Sequence, residues 1–155
     1  MKKNYEKILP SYICDIQEIN NLSKVMFMNN FPHHQFILCT SGTGKICTES
    51  NIEQTVSKSN IVFINSSILF SIRQQENFSI KRIAFNGNFV TNYLQYFDFN
   101  QAVVFVPKSD EVFNAFNIAY DGYMHDKDDI QNSVNMYNLI GVCGCLLYTS
   151  DAADD

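Results

Sequence analysis

The chain carries no surplus of positive charge: 11 Lys and Arg stand against 16 Asp and Glu in 155 residues, a formal charge of −5. A surface that grips a phosphate backbone needs a basic face, so direct contact with DNA or RNA is not expected of this polypeptide. Long apolar runs are missing too. No stretch reaches the roughly 18 consecutive apolar residues of a membrane span, so no membrane partner is expected. The opening MKKNYEKILPSYICD lacks the long apolar core and small-residue cleavage site of an export signal, and the expected compartment is the cytoplasm. The 5 cysteines (Cys14, Cys39, Cys47, Cys143 and Cys145) are odd in number and form no C-x-x-C pair. Neither a disulfide framework nor a zinc site follows from them, and Cys14, Cys39 and Cys47 read as small core filler on strands.

Catalytic constellations are absent in the same way. There is no G-x-S-x-G elbow, no cysteine beside a recognisable base, and no pair of carboxylates on the strands. CTSGTGKICT comes near a phosphate-binding loop, but Cys39 stands where its first glycine belongs and Ile46 where Ser or Thr should hold magnesium. The residues after Lys45 alternate like a strand, whereas that loop must open a helix. HDKDD begins like a calcium loop, without its turn glycine or closing glutamate. His33 and His34 are neighbours, and neighbours on a strand point to opposite faces, so both cannot line one cavity. His125 is remote in sequence, and NSSILFSIRQQ offers no further imidazole. These gaps point away from an enzyme, and no metal or cofactor is expected.

What is present is a strand-rich body. Hydrophobic residues make up 46% and charged residues 17%, the balance of a folded domain. Short runs rich in Ile, Val, Phe and Thr predict strands near 12–16, 23–28, 35–40, 44–49, 52–57, 60–65, 68–73 and 78–85. SGTG, with Gly42 and Gly44, predicts a tight hairpin between QFILCT and KICTES, and TESNIEQ predicts a second turn. So many short antiparallel strands argue for a small barrel or jelly roll. Beyond Phe85 the pattern changes. NGNFVTNYLQYF sets Phe89, Tyr93 and Tyr96 or Phe97 at helical spacing, and AVVFV (102–106) predicts one more strand, closed by Pro107. Two amphipathic helices follow. Ser109 is expected to cap the first, whose stripe is Val112, Phe113, Phe116, Tyr120 and Tyr123. Ile130, Val134, Tyr137 and Ile140 or Gly141 form the stripe of the second, behind the acidic start Asp126, Asp128 and Asp129.

Arg82 is the polar residue to watch. By the period of two, Phe78, Ile80, Arg82 and Ala84 share one face of FSIKRIAF. If that face looks into the barrel, a buried guanidinium wants a carboxylate, phosphate or hydroxyl partner. The alternative turns Arg82 to solvent and Ile83 and Phe85 inward.

The order of segments carries a resemblance. FPHHQFILCTSGTGKI, IEQTVSKSNIVFINSS, FSIKRIAFNGNFVTNYLQYF, AVVFVP and a helix pair follow one another from about Leu9 to Gly144. This resembles the N-terminal effector-binding and dimerisation domain of AraC-family transcription regulators. Gly42 and Gly44 match the family's G-x-G before a hairpin, and Phe85 and Gly87 match its F-x-G. The family's G-D stands here as SKSN, its Pro and His are absent from INSSILFS, and Lys81 and Arg82 replace its usual Trp or His.

The resemblance implies a mainly β, cupin-like jelly-roll barrel over residues 1–106, followed over 107–144 by helices that pair two subunits. It implies a small-molecule effector, a sugar or related metabolite, with Phe27, Phe70, Ile80 and Arg82 as its contacts. It also implies a homodimer that reaches DNA through a separate C-terminal helix-turn-helix region, which does not follow here. Residues 145–155, CLLYTSDAADD, read back into nucleotides as a transposon end and adapter used in sequencing-library preparation, and are left outside the expected fold. The second helix is accordingly expected to fray past Gly141, with Cys145 and DAADD mobile and unpartnered. Two other classes fit a barrel: a stand-alone metal-dependent cupin enzyme (a sugar isomerase or dioxygenase holding metal on His33 or His34) and a carbohydrate-binding module.

Overall fold

The computed structural model describes residues 9–28, 32–49, 53–66, 68–97, 99, 102–107, 109–125 and 128–153. Its elements are β1 (Tyr12–Ile19), β2 (Met26–Met28), β3 (His34–Thr48), β4 (Glu53–Ser57), β5 (Ile61–Ile64), β6 (Phe70–Asn86), α1 (Val90–Tyr96), β7 (Ala102–Phe105), α2 (Glu111–Met124) and α3 (Asp129–Ala153). The cupin-like β barrel followed by helices is the expected architecture.

Two long strands organise it. β3 and β6 pair antiparallel along almost their whole length, from His34↔Phe85 to Thr48↔Phe70. The predicted hairpin at SGTG is therefore corrected: QFILCT and KICTES are two halves of one strand. Likewise 68–73 and 78–85 are one strand. Register shifts between Cys39 and Gly44 bend the ribbon without ending it. Gly42 (φ 71°) and Asn77 (φ 45°) take the left-handed conformation at this bend. β1, β5 and β7 extend one half of the ribbon, while β2 and β4 flank the other. The second turn lies partly outside the described residues, yet β3 and β4 pair on either side of it from Cys47↔Glu53.

The bend shifts the alternation. Ile37 and Cys39 point inward before it and Ile46 after it, where they meet Val62, Ile64, Phe78 and Ile80 in the barrel interior. The opposite face of the first half is also buried. Phe36, Leu38, Phe63, Ile83 and Phe85 there share one cluster with the helices. Stacking of Phe36 on Phe85 (centroids 5.1 Å apart, planes at 9°) marks its centre.

The helices exist where the periodicity placed them, but their buried faces differ. α1 buries Val90 and Leu94, with Phe97 just after it, and leaves Phe89 and Tyr96 exposed. In α2 the small residues Ala115 and Ala119 join Val112, Phe116 and Tyr120 against the sheet, and Phe113 faces out. Asp110 occupies the N-cap of α2, and the Ser109 hydroxyl only accepts from the Glu111 N–H at 3.4 Å. α3 departs most. It buries Asn132, Ser133, Asn135, Met136, Leu139, Ile140 and Cys143, and turns the predicted stripe Ile130, Val134 and Tyr137 outward. The Ser11 hydroxyl donates to the Ser133 carbonyl (2.9 Å), so a polar contact at the start of α3 joins the buried apolar row Met136, Leu139, Ile140 and Cys143 in fixing this side of the helix. α3 stays helical through Ala153, beyond the expected fraying point, and Cys145 lies near enough to influence the Tyr93 phenol.

Candidate functional site

Strand register decides where Arg82 goes. It stands opposite Gln17 on β1 and Ile37 on β3, on the inward face with Ile80. The solvent-facing alternative is overturned: Arg82 is 6% exposed, and Ile83 and Phe85 face the helix layer, not solvent or the barrel. Both faces of this half-sheet are covered, which alternation along a single strand cannot reveal. Arg82 Nη1 donates to Gln17 Oε1 at 2.7 Å. Burial lowers the guanidinium pKa from its ordinary value, and the negative charge of Asp15 acts against that shift.

Directly beside Arg82's row runs a second one. Asp15, Ala84, Gln35 and Ile64 lie across β1, β6, β3 and β5 in register. Gln35 is 1% exposed, and its Oε1 meets no hydrogen-bond donor among the described residues. The inner wall thus combines a polar corner (Asp15, Gln17, Gln35 and Arg82) with an apolar depth.

Of the four residues predicted to line the site, Ile80 and Phe70 belong with Arg82 to this interior face, Ile80 beside it and Phe70 toward the far end of β6. Phe27 lies on β2 opposite Ser71, at a register position off the face shared by Phe70 and Ile72, and its side chain falls outside the described residues. Gln35 and Gln17 were missed. Gln35 alternates with Ile37 and Cys39 and was within reach of a period-two reading. Gln17 was not, because its partner depends on register.

The remaining sequence candidates lie elsewhere. His34 is buried in the helix-facing layer between Phe63 and Phe85, and its Nδ1 accepts from the Ser66 N–H at 3.0 Å. His33 precedes β3, and His125 follows α2. Lys45 of the near phosphate loop pairs with Glu53 at 2.8 Å, on a strand surface that Arg73 shares. Two shallow grooves border α2, one along Asn114, Asn117, Ile118 and Asp121, the other at Ser59, Pro107 and Phe113. Both lie away from the inner sheet face.

No family model matches the chain. Among curated proteins, UvrABC system protein B of Halalkalibacterium halodurans is 32% identical over 83 residues, 54% of this chain and 12% of that protein. The same protein of Listeria monocytogenes is 34% identical over 77 residues, 50% of this chain and 11% of that protein. The chain thus spans about a tenth of the length of these relatives, too small a share to carry a function across.

Solved structures are similar over far more of it. ToxT of Vibrio cholerae, an AraC-family regulator, overlays with a TM-score of 0.57 at 13% identity, over 87% of this chain and 54% of ToxT. ToxT bound to a methylnaphthalenyl butenoic acid gives 0.58 at 9% identity over 90% and 57%. ToxT bound to an unsaturated fatty acid gives 0.57 at 9% identity over 96% and 57%. At such identities the likeness establishes the fold alone, a cupin-like barrel followed by helices, and the chain spans about half of ToxT's length.

Proposed function

We propose that this chain is the small-molecule-sensing and self-pairing part of an AraC-type transcription regulator. The observation that carries the reading is the buried Arg82 on the inner sheet face, hydrogen-bonded to the exposed Gln17 of β1, in a fold similar to that of ToxT. Ligands seen in ToxT are acids with apolar bodies, and a guanidinium above an apolar interior supports a ligand that carries an acceptor group, as an acid or a sugar does. The site binds; it does no chemistry.

β1 links binding to output. Gln17 on its inner side holds Arg82. The Cys14 carbonyl accepts from the Tyr123 hydroxyl of α2 at 3.4 Å, and Ser11, just before β1, holds Ser133 of α3. A ligand that takes over the guanidinium releases Gln17 and lets an edge strand shift against both helices. α3 presents Ile130, Val134 and Tyr137 on its outward side, an apolar row suited to a second copy of the chain. With a charge of −5, the domain acts on DNA through a helix-turn-helix region and not by its own surface.

Light scattering of the purified chain, with and without ligands from a panel of sugars and small acids, tests this. A ligand-sensitive dimer is expected. A strict monomer that no sugar or acid stabilises removes the reading, and stoichiometric bound metal replaces it with a cupin enzyme.

A further inference from the structure

Charge is spread unevenly along this chain. Residues 1–108 hold 10 Lys and Arg against 7 Asp and Glu, whereas residues 109–144 hold one Lys against 6 acids. Asp110, Glu111, Asp128 and Asp129 stand at the starts of α2 and α3, where carboxylates complement the helix dipoles. Asp121 has no such reason to be where it is. It lies in the last turn of α2, at the negative carbonyl end of the dipole, and no basic residue shares that turn. It is exposed, and among the described residues no Lys or Arg pairs with it. A carboxylate so placed works against its own helix, which points to a use outside the free chain.

Large apolar side chains are exposed along the same helix. Ile118 is 53% exposed and Met124 52%, and Phe113 also faces out. By the helical period, Asn114, Asn117 and Asp121 run down the middle of this outer face, with Ile118 and His125 on one flank and Phe113 and Met124 on the other. A groove of about 460 Å³ follows it along Asn114, Asn117, Ile118, Asp121, Gly122 and His125, and all of its described lining comes from α2. A groove that runs along one helix suits a segment laid lengthwise, not an enclosed small molecule.

We infer that the outer face of α2 docks a partner protein through a basic amphipathic helix, with Lys or Arg side chains on Asp121 and the carbonyl end of α2 and apolar side chains on Ile118. Charge decides the occupant. An acidic segment or a nucleic acid is repelled, and a second copy meeting this face two-fold sets Asp121 toward its own equivalent. The face suited to a second copy is the other one, because α3 carries no charged residue from Ile130 to Cys145. The inference goes beyond the sensor reading and does not depend on it.

Fluorescence anisotropy of the purified chain with three labelled synthetic peptides tests it. One peptide has Lys and Leu at amphipathic helical spacing, one has Glu in place of Lys, and one has Ser in place of Leu. Binding of the Lys–Leu peptide alone, weakened by salt, is the expected result. Ile118→Glu and Asp121→Lys should each weaken it about tenfold or more. Asp121→Lys should also leave the thermal midpoint of the free chain unchanged or raised, since it puts a cation at the carbonyl end of α2. No binding of the Lys–Leu peptide, equal binding of either other peptide, or an affinity indifferent to both substitutions overturns the inference. A lowered midpoint in Asp121→Lys overturns it too, by giving Asp121 a structural role. So does a dimer that Ile118→Glu dissociates in light scattering, which puts a second copy on this face.

Discussion

Gly42 holds φ at 71° where β3 bends, and a Cβ built there would collide with the backbone carbonyls of Glu76 and Asn77. Strain and collision act together, and the obstructing atoms are main chain, which cannot swing aside. Gly42→Ala should therefore cost about 1–3 kcal/mol, read from the urea midpoint at constant slope. His34 offers a pH test. Burial, helped by the nearby His33 charge and opposed by a hydrogen bond with Asn65, holds its imidazole at a pKa of about 4 against the ordinary 6.5. Between those values the unfolded chain binds more protons than the folded one, so stability rises with pH across the window. Acidification from 6.5 to 4 should thus remove at most about 3 kcal/mol, with little further change from this group below 4. His34→Asn, which keeps an acceptor for the Ser66 N–H, should flatten that part of the pH profile. A profile unchanged by the substitution would place the acid sensitivity elsewhere.

Among the elements, the β3–β6 ribbon and α3 show how contacts override local signals. SGTG has the composition of a hairpin, and locally nothing distinguishes a reversal from a bend. β6 settles the matter, because both halves of β3 find partners along its length. α3 bears two apolar rows, and the buried one is Met136, Leu139, Ile140 and Cys143, preceded by the buried polar Asn132, Ser133 and Asn135, while Ile130, Val134 and Tyr137 face out. Close approach is what favours it. A Cβ on Gly144 would strike the Phe97 ring, and one on Gly141 the Tyr93 hydroxyl. Gly144→Leu should therefore force α1 and α3 apart, at a cost of about 1–3 kcal/mol in thermal or urea denaturation. Phe97→Ala should relieve the clash and give a double mutant more stable than the sum of the single effects predicts.

For the molecule as a whole, one half-sheet serves two clusters. Its inner face completes the barrel, its outer face carries three helices, and β1 touches both. An outward apolar row on α3 is then the surface to probe. Ile130 is 65% exposed and Val134 56%, with Tyr137 stacked on Tyr93 at 4.4 Å beside them. Val134→Glu should raise a dimer dissociation constant by about a hundredfold, measured by sedimentation, while leaving monomer stability within about 0.5 kcal/mol. A second test joins both ends of β1. Ser11→Ala should leave affinity for a small-molecule effector within about a factor of two and diminish any effect of that effector on pairing, since it cuts the contact to α3 without touching Arg82.

Alternation, helical spacing and charge balance were enough to read a strand-rich body, three helices in order, a net charge of −5, and Arg82 on the same face as Ile80. Those are local or additive properties, present before any two distant segments meet. The bend at Gly42, the outward stripe of α3, the pairing of Gln17 with Arg82 and the row that sets Gln35 beside Ala84 are of another kind. Each depends on which strand lies beside which, and in what register. A half-sheet covered on both faces offers its alternating residues two buried destinations, so apolarity alone does not say which face looks into the barrel. Long-range pairing, summed over the length of β6, makes that choice.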